Sequence, residues 1–463
     1  MRTMRITGEA LQFNPTYVDS NEVRSDRMQS DPIEVFQDSS GSVNFQLSYP
    51  EDNCDVSEYH RSAFMAAWVN TPTFDNDGTA DSIVTDAGTV ANTYAVASGG
   101  AAVVAGHLVR ATGFANPANN QVFPVVSSSA TTIVGAALSL VAEPIPPAAA
   151  KLKVVGFQGA SADISATASG LASVILDFTT LGLAVGQWIK IGGTAAGVRF
   201  ATAVLNDWVR ITAIAAHAIT CDNLPVGWTA DAGTGKTVNV WFGDKIKNGT
   251  LETSISIERG FLGQTVPTYI VTAGMHVNTL ALNLASKQVV TGVATFMGMG
   301  GSQGTAALAA TPDAISTNVI MAANANVGRL AENGATLTSP NWARSINLQI
   351  NNNLRQIEDV GSKSPPAVRE GECTVTGKIE TYFGDNTLLA KFYAGTPTAI
   401  NARIAKNNQA IIYQVPRATL RGAGNPVVTG KNTDVMAAFD FTASMDTLTA
   451  AHILCDRVPY FET

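Results

Sequence analysis

Apolar residues in this chain recur mostly at every second position and in short runs. In Gly41-Ser-Val-Asn-Phe-Gln-Leu-Ser-Tyr49, the residues Val43, Phe45, Leu47 and Tyr49 share one face, which is the period of a half-buried strand. The segment Cys373 to Phe383 repeats the alternation with Cys373, Val375 and Ile379. Each strand runs into a polar turn, Glu51-Asp-Asn53 or Gly384-Asp-Asn386, and then into a helical pattern. The first helix is expected over Val56 to Trp68, with Val56, Tyr59, Ala63, Phe64, Ala67 and Trp68 on one face. Asp55 with Glu58 three residues on predicts a capping box. Tyr59, Phe64 and Trp68 read as a core stripe rather than a ligand-stacking row. The second helix, Asn386 to Tyr393, is short and is stopped by Gly395 and Pro397.

The parallel continues downstream. Thr279-Leu280 leads to Val289-Val-Thr-Gly292, and Thr419-Leu420 leads to Val427-Val-Thr-Gly430; an apolar strand follows each, Val293 to Met299 and Val435 to Ala443. The shared order predicts one β unit written twice, the first discontinuous over 1–83 plus 246–305, the second over 317–463. Between the parts of the first unit lie two series of short strands. One includes Gly106 to Gly113, Asn120 to Val126 and Thr131 to Val134; the other includes Gly186 to Gly193, Trp208 to Ile211 and Lys236 to Phe242. They predict two small β-barrel or sandwich modules, 84–148 and 149–245, joined by the polyproline-like Glu143 to Ala150 and inserted at a loop.

Composition sharpens this mainly β reading. Forty glycines and 19 prolines suit many turns, and hydrophobic residues make up 46 % of the chain. Lys+Arg 29 against Asp+Glu 37 gives a net charge of −8, without the basic stripe needed to hold DNA by phosphate neutralisation. The longest apolar stretches, such as Ile133 to Ala142, fall short of the roughly 20 residues of a membrane span. The N-terminus lacks the apolar core of a secretory signal, so folding in a reducing cytoplasm is expected. Cys54, Cys221, Cys373 and Cys455 are widely spaced and read as free thiols.

No catalytic pattern stands out against this background. Ala230-Asp-Ala-Gly-Thr-Gly-Lys-Thr237 satisfies the loosest phosphate-loop pattern, but a strand rather than a helix is expected after it, so it reads as a turn. His60, His107, His217, His276 and His452 show no metal-ligand spacing, and no Gly-x-Ser-x-Gly elbow occurs. The chain reads as a non-enzyme without cofactor or metal. Two long polar stretches occupy matching places in the two units, residues 14–40 and 351–372, and loops of such length are usually functional or disordered. Their alternating charges, Arg24, Asp26, Arg27 and Asp31 in one and Arg355, Glu358, Asp359 and Lys363 in the other, suit a rim facing a neighbour of opposite pattern.

With these parts assembled, the chain resembles the tail tube (major tail) proteins of long-tailed, non-contractile bacteriophages. The resemblance rests on Asn21 to Asp31, the strand Gly41 to Tyr49 with its helix, Ser254 to Phe261 with Tyr269 and Thr279-Leu280, and Asn351-Asn-Asn-Leu354. It covers about 300 residues outside the insert. The resemblance implies two tail-tube-type β-sandwich domains, each with a flanking helix, that join edge to edge in rings around a hollow bore. It implies rings stacked through the two long loops, a structural role in the virion tail, assembly in the host cytoplasm and passage of double-stranded DNA. Self-contacts, a tape measure protein and a tail terminator or tip protein are the implied partners. Two domains per chain predict a trimeric ring with pseudo-sixfold symmetry, with a true hexamer as the alternative. Glu252, Glu258, Glu380 and Asp440, each expected in a strand, are candidate bore carboxylates. The inserted modules are expected outside the tube. A host-surface or glycan-binding tail component is the competing function, favoured by Trp188, Trp208, Trp228 and Trp241 in those modules.

Overall fold

The computed structural model describes every residue except 53, 77–82, 86–91, 137, 324–326, 338–339, 423–424, 427, 429 and 463. Asn53 of the first polar turn, Val427 and Thr429 of the second Val-Val-Thr-Gly, and the opening of the first inserted module near 86–91 therefore lie outside the described residues. Among the described residues the chain is mainly β, built on two large antiparallel sheets of sixteen and thirteen strands with two α-helices.

The larger sheet is the body. It begins with β1 (Gly8–Glu9) and β2 (Gln12–Val18), which lie end to end along β3 (Ile33–Gln46) in one register, Gly8 opposite Asn44 and Gln12 opposite Ser40. β3 is longer than the expected strand at Gly41, because its first half forms a hairpin with β2. Beyond β3 come β12 (Thr291–Gly298) and β11 (Thr268–Ala285), then β13 (Ala343–Asn351), β16 (Thr374–Tyr382), β19 (Met436–Ala443), β18 (Gln409–Arg421) and β17 (Thr398–Lys406). Gly274, at φ 63°, bends β11. Its first half pairs with β10 (Ile255–Phe261), and its second half pairs with both β12 and β13. The strand alternation read from the sequence is realised, since Val43, Phe45, Leu280, Leu282, Ile346, Ile350, Val375, Ile379, Phe439 and Phe441 all enter one core behind the sheet.

Helix α1 (Asp55–Phe64) covers that core over β11 and β13, and α2 (Thr387–Ala394) lies against β18. The expected capping box does not form. Cys54 is the N-cap, the Asp55 carboxylate accepts from the Arg5 backbone amide at 3.0 Å, and Glu58 pairs with Arg2 and Arg61. The helix also stops four residues earlier than expected, because Met65 adopts a left-handed conformation, yet Tyr59, Phe64 and Trp68 are core residues all the same. The second helix keeps its expected place, with Gly395 as its left-handed C-cap.

The inserted strands form one sheet rather than two separated ones. β5 (Lys151–Gln158) pairs with β4 (His107–Thr112) of the first series and with β8 (Asn239–Trp241) of the second, and a single core runs through both. The run Ala230 to Thr237 leads into β8 and opens no helix; its Lys236 ammonium donates to the Ala196 carbonyl at 2.8 Å. Cys54, Cys221 and Cys455 are buried and Cys373 half-buried, all free. Burial pushes the Cys54 and Cys221 thiols up to about 12.

Candidate assembly surfaces

Strand alternation gives the body sheet a second face, opposite the core. From β3 to β13 it displays Ser40, Ser42, Asn44 and Gln46, then Thr291, the exposed Val293, Thr295 and Met297, then Thr279, Ala281 and Asn283, then Ser345, Asn347 and Gln349. Further along it carries Thr376, Lys378 and Glu380 of β16, Asp440 and Thr442 of β19, and Thr419 and Arg421 of β18. Asn44, Asn347, Gln349, Thr376, Lys378, Asp440 and Arg421 are exposed. A shallow hollow of about 420 Å³ lies across the middle, from Thr291 and Asn283 through Asn347 and Gln349 to Lys378 and Asp440. Amides and hydroxyls dominate this face, and its charges come as near neighbours of opposite sign. Lys378 sits directly across from Asp440, Arg421 lies across from Asp440 on the other side, and Arg344 reaches Glu380 at 3.4 Å.

Of the four carboxylates proposed for a bore, Glu380 and Asp440 belong to this face. Glu252 does not lie in a strand, as had been expected; it sits in the coil before β10 and pairs with Arg369 at 3.2 Å. Glu258 is in β10, where it accepts from the Leu308 amide at 2.7 Å. The amide-rich face itself was missed as a site. Its signal was present in the sequence, because from β3 to β13 the polar partners in the alternating strands are Ser, Thr, Asn and Gln rather than Lys and Glu.

The sheet runs on past β17 to the strands Val327–Glu332 and Ala335–Thr336, and two other stretches of its edge bear on assembly. Within the chain, β11 and β13 join through seven consecutive pairs, Thr279 opposite Asn351 to Ala285 opposite Ser345. Among the described residues no strand lies outside β1 and β2, and none lies outside Thr419–Arg421 of β18.

At one end of the sheet the two long loops meet. The Lys363 ammonium lies 3.1 Å from a Glu34 carboxylate oxygen, and the Gln37 side-chain amide donates to the Ser364 hydroxyl at 2.7 Å. Arg24 and Asp26 pair with each other in the first loop at 2.6 Å, which holds the Asp26 carboxyl below its ordinary range. Arg27 and Asp31 are exposed beside them. Arg355 begins the short ribbon β14 (Arg355–Ile357) with β15 (Ala367–Arg369), and Glu358 and Asp359 are exposed at its tip. Large apolar side chains stand among these charges: Tyr17, Val18, Met28 and Ile33 are exposed, Val23 by 98 %. A monomeric protein seldom leaves such a cluster in water.

The tryptophans of the insert have a different occupation from the one a sugar site requires. Trp188 in β6 (Trp188–Ile191), Trp208 in β7 (Trp208–Ala215) and Trp241 in β8 are buried with Ala410, Ile412, Val458 and Phe461 of the body. The Trp188 indole donates to Gln414 at 2.6 Å, and its backbone amide donates to Asp456 at 3.0 Å. Trp228 is half-buried and donates to the Thr167 carbonyl at 2.8 Å. Beside this wedge, β9 (Asp244–Lys247) pairs with β20 (Leu454–Val458). The wholly buried Arg457 donates there to Asp244 and Asp52 and stacks over Trp68 at 4.2 Å.

A broad antiparallel sheet with one bare polar face, unclosed edges and loops bearing exposed apolar groups defines a self-assembling structural protein. Residues 155–443 match the family model for the phage tail tube protein, and the chain belongs to that family. It is therefore a structural, non-enzymatic component of the virion tail. The match begins inside β5 and so takes in residues 155–245, the stretch expected as the second inserted module. No curated protein matches the chain.

Proposed function

We propose that three copies close head to tail into a ring of pseudo-sixfold symmetry, and that the rings stack as the tube of a long non-contractile tail through which double-stranded DNA leaves. The observation that carries this is the strand order. β1/β2, β3, β12 and β11 form one block, and β13, β16, β19 and β18 follow as a second block whose chain order and sheet order correspond, each with a helix after its second strand. This supports the reading of one sandwich written twice. The seam between β11 and β13 then serves as the pattern for the seam between chains. Aligning Thr279-Leu280 with Thr419-Leu420 places Leu420 of one copy opposite Leu11 of the next on the core face, as Leu280 lies opposite Ile350 within the chain. Three chains of two blocks give six blocks in the ring, and closure consumes the open edges, which are otherwise sites of uncontrolled pairing.

The bare face lines the bore in this arrangement, with Glu380 and Asp440 in its wall. Since DNA carries one negative charge per about 1.7 Å, a wall of amides, hydroxyls and compensated charges passes it without a grip. The paired loops contact the next ring, the inserted sheet stands outside, and tape measure and terminator or tip proteins meet the ends. Electron microscopy of the purified chain tests the reading. Stacked rings about 40 Å apart, threefold in outline with a six-lobed bore, are expected. Six equivalent whole chains per ring would remove the trimer, and a compact monomer at high concentration would remove the tube.

A further inference from the structure

A cleft of about 270 Å³ opens where the inserted sheet meets the body. Arg110 of β4, Lys151 and Lys153 of β5, Arg457 of β20 and Tyr49 beyond the end of β3 line it. Arg110 lies directly opposite Lys153 in the β4–β5 ladder, and Lys151 is two residues along on the same face. Like charges in directly opposed positions destabilise a ladder unless something offsets them. The acids of the cleft do so only in part. Asp244 accepts from the Lys153 ammonium and the Arg457 Nε, each at 2.9 Å, while Asp52 accepts from the other arm of Arg457. Those two carboxylates are thus committed to those two cations. Among the described residues Arg110 and Lys151 have no carboxylate at ion-pair distance, and the third acid on the lining, the exposed Glu51, reaches neither.

Arg110 is nevertheless fixed in place, its guanidinium 4.4 Å above the Tyr460 ring. The Tyr49 side chain adds an independent sign. Tyr49 is 3 % exposed, it lines the cleft, and its hydroxyl has no hydrogen-bond partner. A buried hydroxyl without a partner costs free energy that a bound acceptor would recover.

We propose that this cleft is a binding site for a small tetrahedral oxyanion of the phosphate or sulfate kind, held by Arg110, Lys151 and the Tyr49 hydroxyl. The volume lies below the roughly 300 Å³ at which pockets for drug-sized ligands begin, which suits a free inorganic ion. Arg110 and Lys151 belong to the inserted sheet and Tyr49 to the body segment after β3, so the ion ties the insert to the body. The site is independent of ring formation.

Isothermal titration of the full chain with inorganic phosphate, at ionic strength held constant with potassium chloride, tests this. A saturable heat at one ion per chain is expected. Arg110→Gln and Lys151→Gln should each abolish it. Tyr49→Phe, which keeps the ring and removes only the hydroxyl, should weaken binding roughly tenfold, the loss of one hydrogen bond to a charged group. Lys151 is the safeguard should Arg110→Gln disturb the stacking on Tyr460. No saturable heat, or an unchanged isotherm in a folded Arg110→Gln or Lys151→Gln variant, would overturn the site.

Discussion

At the scale of single residues, the body core depends on close pairs of glycine and an aromatic ring. Gly292 faces Phe45 across β12 and β3, and Gly377 faces Phe441 across β16 and β19. A Cβ on Gly377 would come within 2.2 Å of the Phe441 ring and 2.3 Å of the Asn347 carbonyl. Gly377→Val should therefore lower stability by about 1–3 kcal/mol through overpacking, read as an earlier midpoint in denaturant. Arg457→Met should cost more, about 3–5 kcal/mol, because it takes from the buried Asp244 one of its two cations and leaves Asp52 without its partner. The alternation that fills the core was legible in the sequence, whereas this arginine network was not. Its members lie hundreds of positions apart, and no local pattern encodes their meeting.

Titration adds a further expectation at the same scale. Burial lowers both His60 and His107 to about 4, so their neutral forms contribute stability that is present above pH 6.5 and fades as the pH falls toward 4. Asp456 acts in the opposite sense. Burial pushes its carboxyl up to about 7, so the folded state holds a proton that the unfolded chain releases, and its contribution grows as the pH falls from 7 toward 4. Thermal melts across pH 4 to 7 should thus fall more steeply in Asp456→Asn than in the parent chain. Equal slopes would refute the assignment.

At the scale of elements, strands were easier to foresee than their partners. Period-two alternation marked the strands of both blocks, and Gly395 marked the end of α2, because these signals are local. The capping box failed because the Arg5 amide competes for Asp55, and a contact with the N-terminal segment has no signature near the helix. The fusion of the inserted strands into one sheet was likewise invisible, since β5 finds β4 and β8 by long-range pairing. The edges provide the sharpest element-level test. Cysteines at Ala10 and Arg421, placed opposite each other in the proposed seam, should crosslink under oxidation into a ladder that ends at three chains. Cysteines at Gln12 and Arg421, two positions out of row, should not. The native thiols will interfere little, as burial keeps Cys54, Cys221 and Cys455 protonated and pushes the half-buried Cys373 up to about 11.

At the scale of the whole molecule, the proposed tube assigns stacking of the rings to the loops and bracing of the body to the insert. Val23→Asp or Met28→Asp should leave rings intact while preventing their stacking, seen as short discs in place of tubes, with an unchanged melting midpoint. The insert is anchored more deeply than a surface decoration. Excision of 84–245 would uncover Ile412, Val458 and Phe461 and would take Asp244 away from Arg457. That deletion should yield aggregating protein by light scattering, and well-behaved rings from it would show the anchor to be dispensable.

The unequal lettering of the bare face has a consequence for traffic through a closed ring. The first block contributes only uncharged side chains between Ser40 and Gln46 and along its neighbours, while the second contributes Lys378, Glu380, Asp440 and Arg421. Around the circumference, quiet staves would alternate with striped ones, three of each. A duplex sliding along such a wall would find no unbroken ribbon of one sign to follow, so its helical grooves would have nothing to thread, and it would travel as a smooth rod rather than as a screw.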